Sequence, residues 1–134
     1  MSYSIEFVIL GLPKMSNQLL RGHWRVKHAH ATNWKKYTRR AVELNGALPA
    51  QPLVSAALRL VRVSSNEPDF DGLVSGFKPI IDGLVECGVL LNDKPSCIKS
   101  EYLWERGPRG KGSVRVQVRE VSKEATNTND LEAP

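Results

Sequence analysis

Asp69, Asp71, Lys78, Asp82 and Asp93 interrupt an apolar run of Leu, Val, Ile, Phe and Gly between residues 67 and 96. An unpaired carboxylate buried in such surroundings is costly, so these groups must be paired, exposed or bound to a cation. Asp69 and Asp71 are two apart, and on extended backbone such residues project to one side. With Asp93 returned by the fold, these carboxylates offer the hard oxygen ligands that Mg²⁺ or Mn²⁺ prefers. A cation held there activates water and neutralises phosphate charge. The same residues also suit plainer work, Asp71 as a helix N-cap and Asn92–Asp93 as a turn. Spacing alone leaves both readings open.

The elements that must position these groups follow from periodicity and from Pro and Gly punctuation. IEFVIL, residues 5–10, reads as a strand ended by Gly11 and Pro13. The polar, Gly-interrupted stretch after it reads as an ordered loop. A helix is expected from Asn33 to Leu44, with Trp34, Tyr37, Ala41 and Leu44 on one face. Thr32 or Asn33 would cap its start and Gly46 would end it. LVSAALRLVRV, residues 53–63, reads as a long strand. Pro79 suits a first helical turn and not a helix interior. We therefore expect a short helical turn over 71–76, a break at Phe77–Lys78, and a helix over 79–87. Ile80, Ile81, Leu84 and Val85 would face the core and Gly88 would cap the end. CIKSEYLW and SVRVQVRE then read as a hairpin around ERGPRGKG, with Val114, Val116 and Val118 inward and Arg115, Gln117 and Arg119 outward. The expected fold is α/β: one small domain in the order strand, helix, strand, helix, hairpin, a mixed sheet with helices packed on it. It spans residues 1–120, and the polar tail 121–134 is expected to be disordered.

Charge divides the chain unevenly. Residues 1–60 hold nine Lys/Arg against two acids, while the remainder holds ten basic and twelve acidic residues. The net charge of +5 therefore conceals a basic half joined to a half with clustered acids. That pattern suits a polyanion held on one surface and processed on another. No apolar run approaches the roughly 20 residues that a membrane-spanning helix needs. MSYSIEFVIL lacks the basic start and cleavage site of a signal peptide, so a cytoplasmic location is expected. Cys87 and Cys97 are read as free thiols.

The 67–96 segment resembles the RusA family of Holliday-junction resolvases, small homodimeric endonucleases of bacteria and their phages. The family pattern is Asp-x-Asp-Asn, a Lys, Asp-x-Leu, a Gly and an acidic pair. Here it stands as Asp69-Phe70-Asp71-Gly72, Lys78, Asp82-Gly83-Leu84, Gly88 and Asn92-Asp93. Leu12-Pro13, Asn17, His23-Trp24 and the terminal basic hairpin extend the likeness more loosely. Gly72 replaces the usual Asn, Asn92 replaces the first acid of the pair, and the spacing from Asp71 to Lys78 is longer. The resemblance implies a Mg²⁺-dependent nuclease resolving four-way DNA junctions as a homodimer. Asp69, Asp71 and Asp93 would hold the metal, and Lys78 would assist at the phosphate. Asp82, four residues from Lys78, is read as a structural ion pair.

Beside such a site, basic clusters become candidates for phosphate contact. Lys35, Lys36, Arg39 and Arg40 form an (i, i+4) stripe opposite the Trp34 face. Lys14 and Arg21 precede it, and Arg106, Arg109 and Lys111 lie in the Gly-rich loop near the end. His23, His28 and His30 lack the matched Cys or carboxylate spacing of a metal set. His23, beside Trp24, is read as positioning DNA or packing its loop.

Overall fold

Alternation of apolar and polar residues builds the sheet. In the computed structural model, which describes residues 2–15 and 24–121, Ile5, Phe7 and Ile9 of β1 (Ser4–Leu10) are buried while the residues between them are exposed. Val114, Val116 and Val118 of β4 (Ser113–Glu120) turn the same way and are fully buried. With β2 (Ala56–Ser64) and β3 (Ile98–Arg106) they form a four-stranded sheet in the order β1-β4-β2-β3. The sheet is mixed: β4 runs antiparallel to both neighbours, and β2 and β3 pair in parallel.

This order overturns the expected hairpin. β3 and β4 are not neighbours, because β2 lies between them. The 106–112 connection passes over the end of β2 and is fastened there. Gly107 donates its N–H to the Ser64 carbonyl at 3.0 Å, and Arg106 Nη1 donates to the Ser65 carbonyl at 2.8 Å. Gly11 N–H donates to the Gly112 carbonyl at 2.8 Å, which ties the far side of the loop to the end of β1.

One helix layer covers the inner face. α1 (Trp24–Asn45) is nearly twice the expected length and begins in the segment read as a loop. Thr32 and Asn33 therefore lie within it and cap nothing. Its buried face is Trp34, Thr38, Ala41 and Val42, with Tyr37 and Leu44 exposed. Thr38 is tolerated there because its hydroxyl donates to the Trp34 carbonyl at 2.8 Å. Gly46 marks the end as expected, its N–H reaching the Val42 carbonyl at 3.1 Å.

α2 (Phe70–Gly76) and α3 (Lys78–Glu86) break at Phe77, and Pro79 sits in the first turn of α3. Ile80, Ile81 and Leu84 are buried and Val85 packs at the core margin. Gly88 ends α3 at φ +94°, a left-handed conformation that suits glycine. α3 lies tightly on α1 at Gly83, where a Cβ would stand 3.1 Å from Lys35 Cα and 3.0 Å from Thr38 Cβ. Only glycine lets the two backbones approach that closely.

The outer face of the sheet is laced with charge: Arg59 Nε meets Glu101 at 2.8 Å and Arg115 Nη2 meets Glu105 at 2.6 Å. Among the described residues no helix is long and apolar enough to cross a membrane. Cys87 and Cys97 are both free thiols. The 122–134 tail, expected to be disordered, lies outside the described residues.

Candidate functional site

β1, β2 and β3 all run antiparallel to β4 or parallel to one another, so their carboxyl ends gather at one end of the sheet. The loops leaving those ends carry Lys14, Asp69, and the Arg106–Lys111 cluster. In open α/β sheets this is the end at which ligands bind.

Asp69 opens α2. Its backbone is extended (φ −72°, ψ 167°), and its Oδ1 accepts the Gly72 N–H at 2.7 Å. The helix cap is therefore Asp69, not Asp71, which stands exposed in the first turn. A cap oxygen is typically worth about 1 kcal/mol to a helix end, and capping leaves the second carboxylate oxygen of Asp69 unengaged by Gly72. Gly72, where the resolvase pattern has Asn, is buried against this cap. A Cβ there would lie 2.7 Å from Asp69 Oδ1 and 2.8 Å from Met15 Sδ. Met15 fills the space that a larger residue at 72 would need.

Lys78 begins α3 and joins two acids. Its Nζ lies 2.9 Å from Asp82 Oδ1 and 2.7 Å from Asp93 Oδ2. Asp82 is one turn further along the helix, as expected for an ion pair. Asp93 returns from the loop beyond Gly88. The hydrogen bond to Asp93, then that to Asp82, raises the Lys78 pKa. The same bond from Lys78 holds the Asp93 carboxyl below its usual range. Asn92 is occupied as a turn former, its Oδ1 accepting the Lys94 N–H at 3.0 Å.

The expected site residues are therefore brought together in part. Lys78, Asp82 and Asp93 form one cluster, while Asp69 and Asp71 share the start of α2. Among the described residues no three His, Cys, Asp or Glu side chains are grouped to hold a metal ion. The donor chemistry fits a hard cation, since the exposed Asp69 and Asp71 carboxylates offer oxygen alone.

The basic stripe is partly neutralised. Lys35 Nζ meets Glu86 at 3.2 Å, and Arg39 Nε meets Glu43 at 3.0 Å. Lys36 and Arg40 are exposed on the same helix, as are Arg109 and Lys111 in their loop. Arg106 is engaged by Ser65 and by the Trp104 ring, 5.1 Å from its centroid. Arg21 and His23 lie outside the described residues.

Lys27, Tyr102 and Arg62 are given no role by the sequence reading, and His30 figures there only as a rejected metal ligand. His30 Nε2 accepts the Lys14 N–H at 2.9 Å, which anchors the loop after β1 to α1. Burial, then the Lys14 charge, pushes the His30 pKa down, so the neutral acceptor form is favoured. Arg62 is 7% exposed and donates to the Pro13 carbonyl at 3.0 Å, holding the same loop from below. Lys27 and His30 would have been found as helix neighbours three residues apart, had α1 been started at Trp24. Arg62 alternates inward with Leu58 and Leu60 on β2, and that pattern was its only signal.

A scan against protein-family models finds none that matches this chain, and a search of curated proteins finds no match.

Proposed function

We propose that the chain is a Mg²⁺-dependent, structure-selective DNA endonuclease that resolves four-way junctions as a homodimer. The observation that carries this reading is the Lys78–Asp82–Asp93 cluster at the start of α3. It brings the lysine and the distant acid of the RusA-like pattern together across fifteen residues of chain. In this reading Asp69, Asp71 and Asp93 hold the cation, with Mn²⁺ as a substitute. When bound, that cation supplies an activated water and charge neutralisation at the phosphodiester. Lys78 offers an ammonium to the phosphate as negative charge builds on it. Lys14, Lys36, Arg40, Arg109 and Lys111, with Arg21 and His23, contact the DNA backbone. The protein acts in the cytoplasm, and two identical sites in a two-fold dimer match the paired strands of a junction.

One observation favours a second reading, a basic nucleic-acid-binding protein without catalysis. Asp69 is used as a cap and Asp93 as an ion-pair partner, both structural roles. A labelled four-way junction and a matched linear duplex, each incubated with Mg²⁺ and with chelator, separate the two. The nuclease cuts the junction alone and only with Mg²⁺; junction binding without cutting in any divalent cation favours the binder. Sedimentation that shows only the 14.9 kDa monomer at micromolar concentration sinks the dimer.

A further inference from the structure

Beside Lys78 a cleft of about 420 Å³ opens between α1, α2 and α3, and of its lining only Lys78 and Lys14 have a part in the proposed reaction. Its walls are largely carbon, from Val74, Ile81, Pro79 and the Tyr102 ring. Tyr102 is braced from behind by Phe77, with ring centroids 6.1 Å apart. Lys14 and Lys27 bring ammonium groups to its lining, and Lys78 lines it while bonded to Asp82 and Asp93. Asp82 also lines the cleft, but its Oδ1 is already bonded to Lys78. Lys14 is held there by the hydrogen bond its backbone N–H donates to His30 Nε2 and by the bond Arg62 donates to the Pro13 carbonyl.

Apolar walls that include an aromatic ring match the flat face of a heterocycle. The ammonium groups of Lys14 and Lys27 match a phosphate attached to it. Those two features together are the chemistry of a nucleotide, since bases stack on aromatic side chains whatever their sequence. The cleft is also continuous with Lys78, so an occupant would adjoin the site at which the backbone is proposed to be cut.

We propose that this cleft takes one unstacked nucleotide of the bound DNA strand, its base against Tyr102, Val74 and Ile81 and its phosphate on Lys14 and Lys27. The inference rests on the reading of the chain as a nuclease of branched DNA, and it names the part of the substrate held beside Lys78. A base at a strand exchange costs less to extract than one inside a continuous duplex, because unpaired or distorted positions are the easiest to unstack. The cleft would thereby favour branched DNA over linear duplex.

The test is a titration of the full chain in chelator, followed by backbone-amide and methyl NMR shifts. Three probes are used: each deoxynucleoside 5′-monophosphate, inorganic phosphate, and a short single-stranded oligodeoxynucleotide. The monophosphates should shift Val74, Ile81 and Tyr102, and inorganic phosphate should leave them in place. The oligonucleotide should saturate the same signals at a concentration at least tenfold lower, since added phosphates bring added lysine contacts. Lys27→Ala and Tyr102→Leu should each weaken these shifts severalfold. Ala31→Phe, which fills the cleft without deleting a charge, should abolish them. Equal shifts with inorganic phosphate, or none at Val74 and Tyr102 with millimolar nucleotide, overturn the proposal. So does monophosphate binding that the oligonucleotide cannot reproduce, which would mark a site for free nucleotides. Junction cleavage without nucleotide shifts removes the cleft alone; nucleotide shifts without cleavage remove the nuclease alone.

Discussion

Lys78 Nζ and Asp93 Oδ2 stand 2.7 Å apart, although one begins a helix and the other follows the loop at its far end. The bond is solvent-accessible, with side-chain exposures of 61% and 43%, so its contribution to stability is small. Its consequence lies in competition. Any cation drawn to Asp93 must share that carboxylate with an ammonium. Lys78→Ala should therefore bind Mg²⁺ more tightly while cutting junctions at least tenfold more slowly. Calorimetric metal titration beside single-turnover cleavage checks both halves. Weaker metal binding in the variant would show that Lys78 does not compete.

Asp69 is where cap and ligand roles can be separated. Asp69→Asn should retain the melting temperature, because Asn caps about as well as Asp, yet lose metal-dependent cleavage with the negative charge. Asp69→Ala should also lose about 1 kcal/mol of stability, the usual cost of an absent cap. Asp71→Asn should abolish cleavage, leave DNA binding intact and barely alter stability. Melting curves and junction cleavage on all three variants check this. Wild-type cleavage by Asp71→Asn would remove it from the site.

The basic stripe on α1 should prove unequal. Lys36 and Arg40 are exposed, whereas Lys35 and Arg39 are engaged by Glu86 and Glu43. Removing one side chain that neutralises a phosphate flattens the dependence of log K on log salt by about 0.9. A Lys36→Ala/Arg40→Ala double variant should flatten it by nearly twice that, and a Lys35→Ala/Arg39→Ala variant by less. Junction affinity measured across a salt series decides. Equal slopes for both variants would show that the ion pairs open on DNA.

His30 should give the fold a pH dependence. Its pKa lies below the ordinary histidine value in the folded chain, so the unfolded chain takes up the proton first. The stability linked to His30 is present above about pH 6.5 and is lost as pH falls from there through the lower folded-state value. Protonation also removes the acceptor for the Lys14 amide. A His30→Gln variant should unfold with a shallower loss of stability between neutral and mildly acidic pH than wild type. Denaturant melts at several pH values check it, and identical profiles would dissociate His30 from the effect.

Gly83 sets the spacing of the helices. Gly83→Ala places a methyl about 3 Å from Lys35 Cα and Thr38 Cβ, and overpacking of this kind costs typically about 1–3 kcal/mol. A drop of that size in a denaturant melt is expected, with the Lys35–Glu86 pair weakened as α3 moves away from α1. An unchanged melt would show that α1 and α3 separate without cost.

The helices beside the site were legible because proline and glycine delimit them. Pro79 allowed only a helix start, Gly88 only an end, and the helix of Lys78–Glu86 lies within a residue of the expected 79–87. The first third of α1 was not legible. Trp24 and Val26 are 65% and 49% exposed, so that stretch buries little and shows no apolar period to read. Strand order was hidden for a different reason. A short Gly-rich loop between two alternating strands reads as a hairpin, and the pairing of β2 with both β3 and β4 reveals that it bridges another strand. Of the site, the Lys78–Asp82 pair follows from helical spacing, whereas the approach of Asp93 depends on how the chain leaves Gly88. The cleft at Tyr102 joins three helices and a strand, and no local pattern announces it.

β4 is the last strand among the described residues yet lies inside the sheet, between β1 and β2. During synthesis the emerging protein holds β1 and the β2–β3 pair without the strand that joins them. Every backbone group of β1 that will face β4 must stay hydrated until residue 120 has cleared the ribosome. Because such long-range pairings come late and are paid for in loop closure, the sheet closes only once β4 is available. A chain stopped at Gly112 would have an intact α3 sequence, with Lys78 and Asp93 both present, and only the β2–β3 pair to hold them.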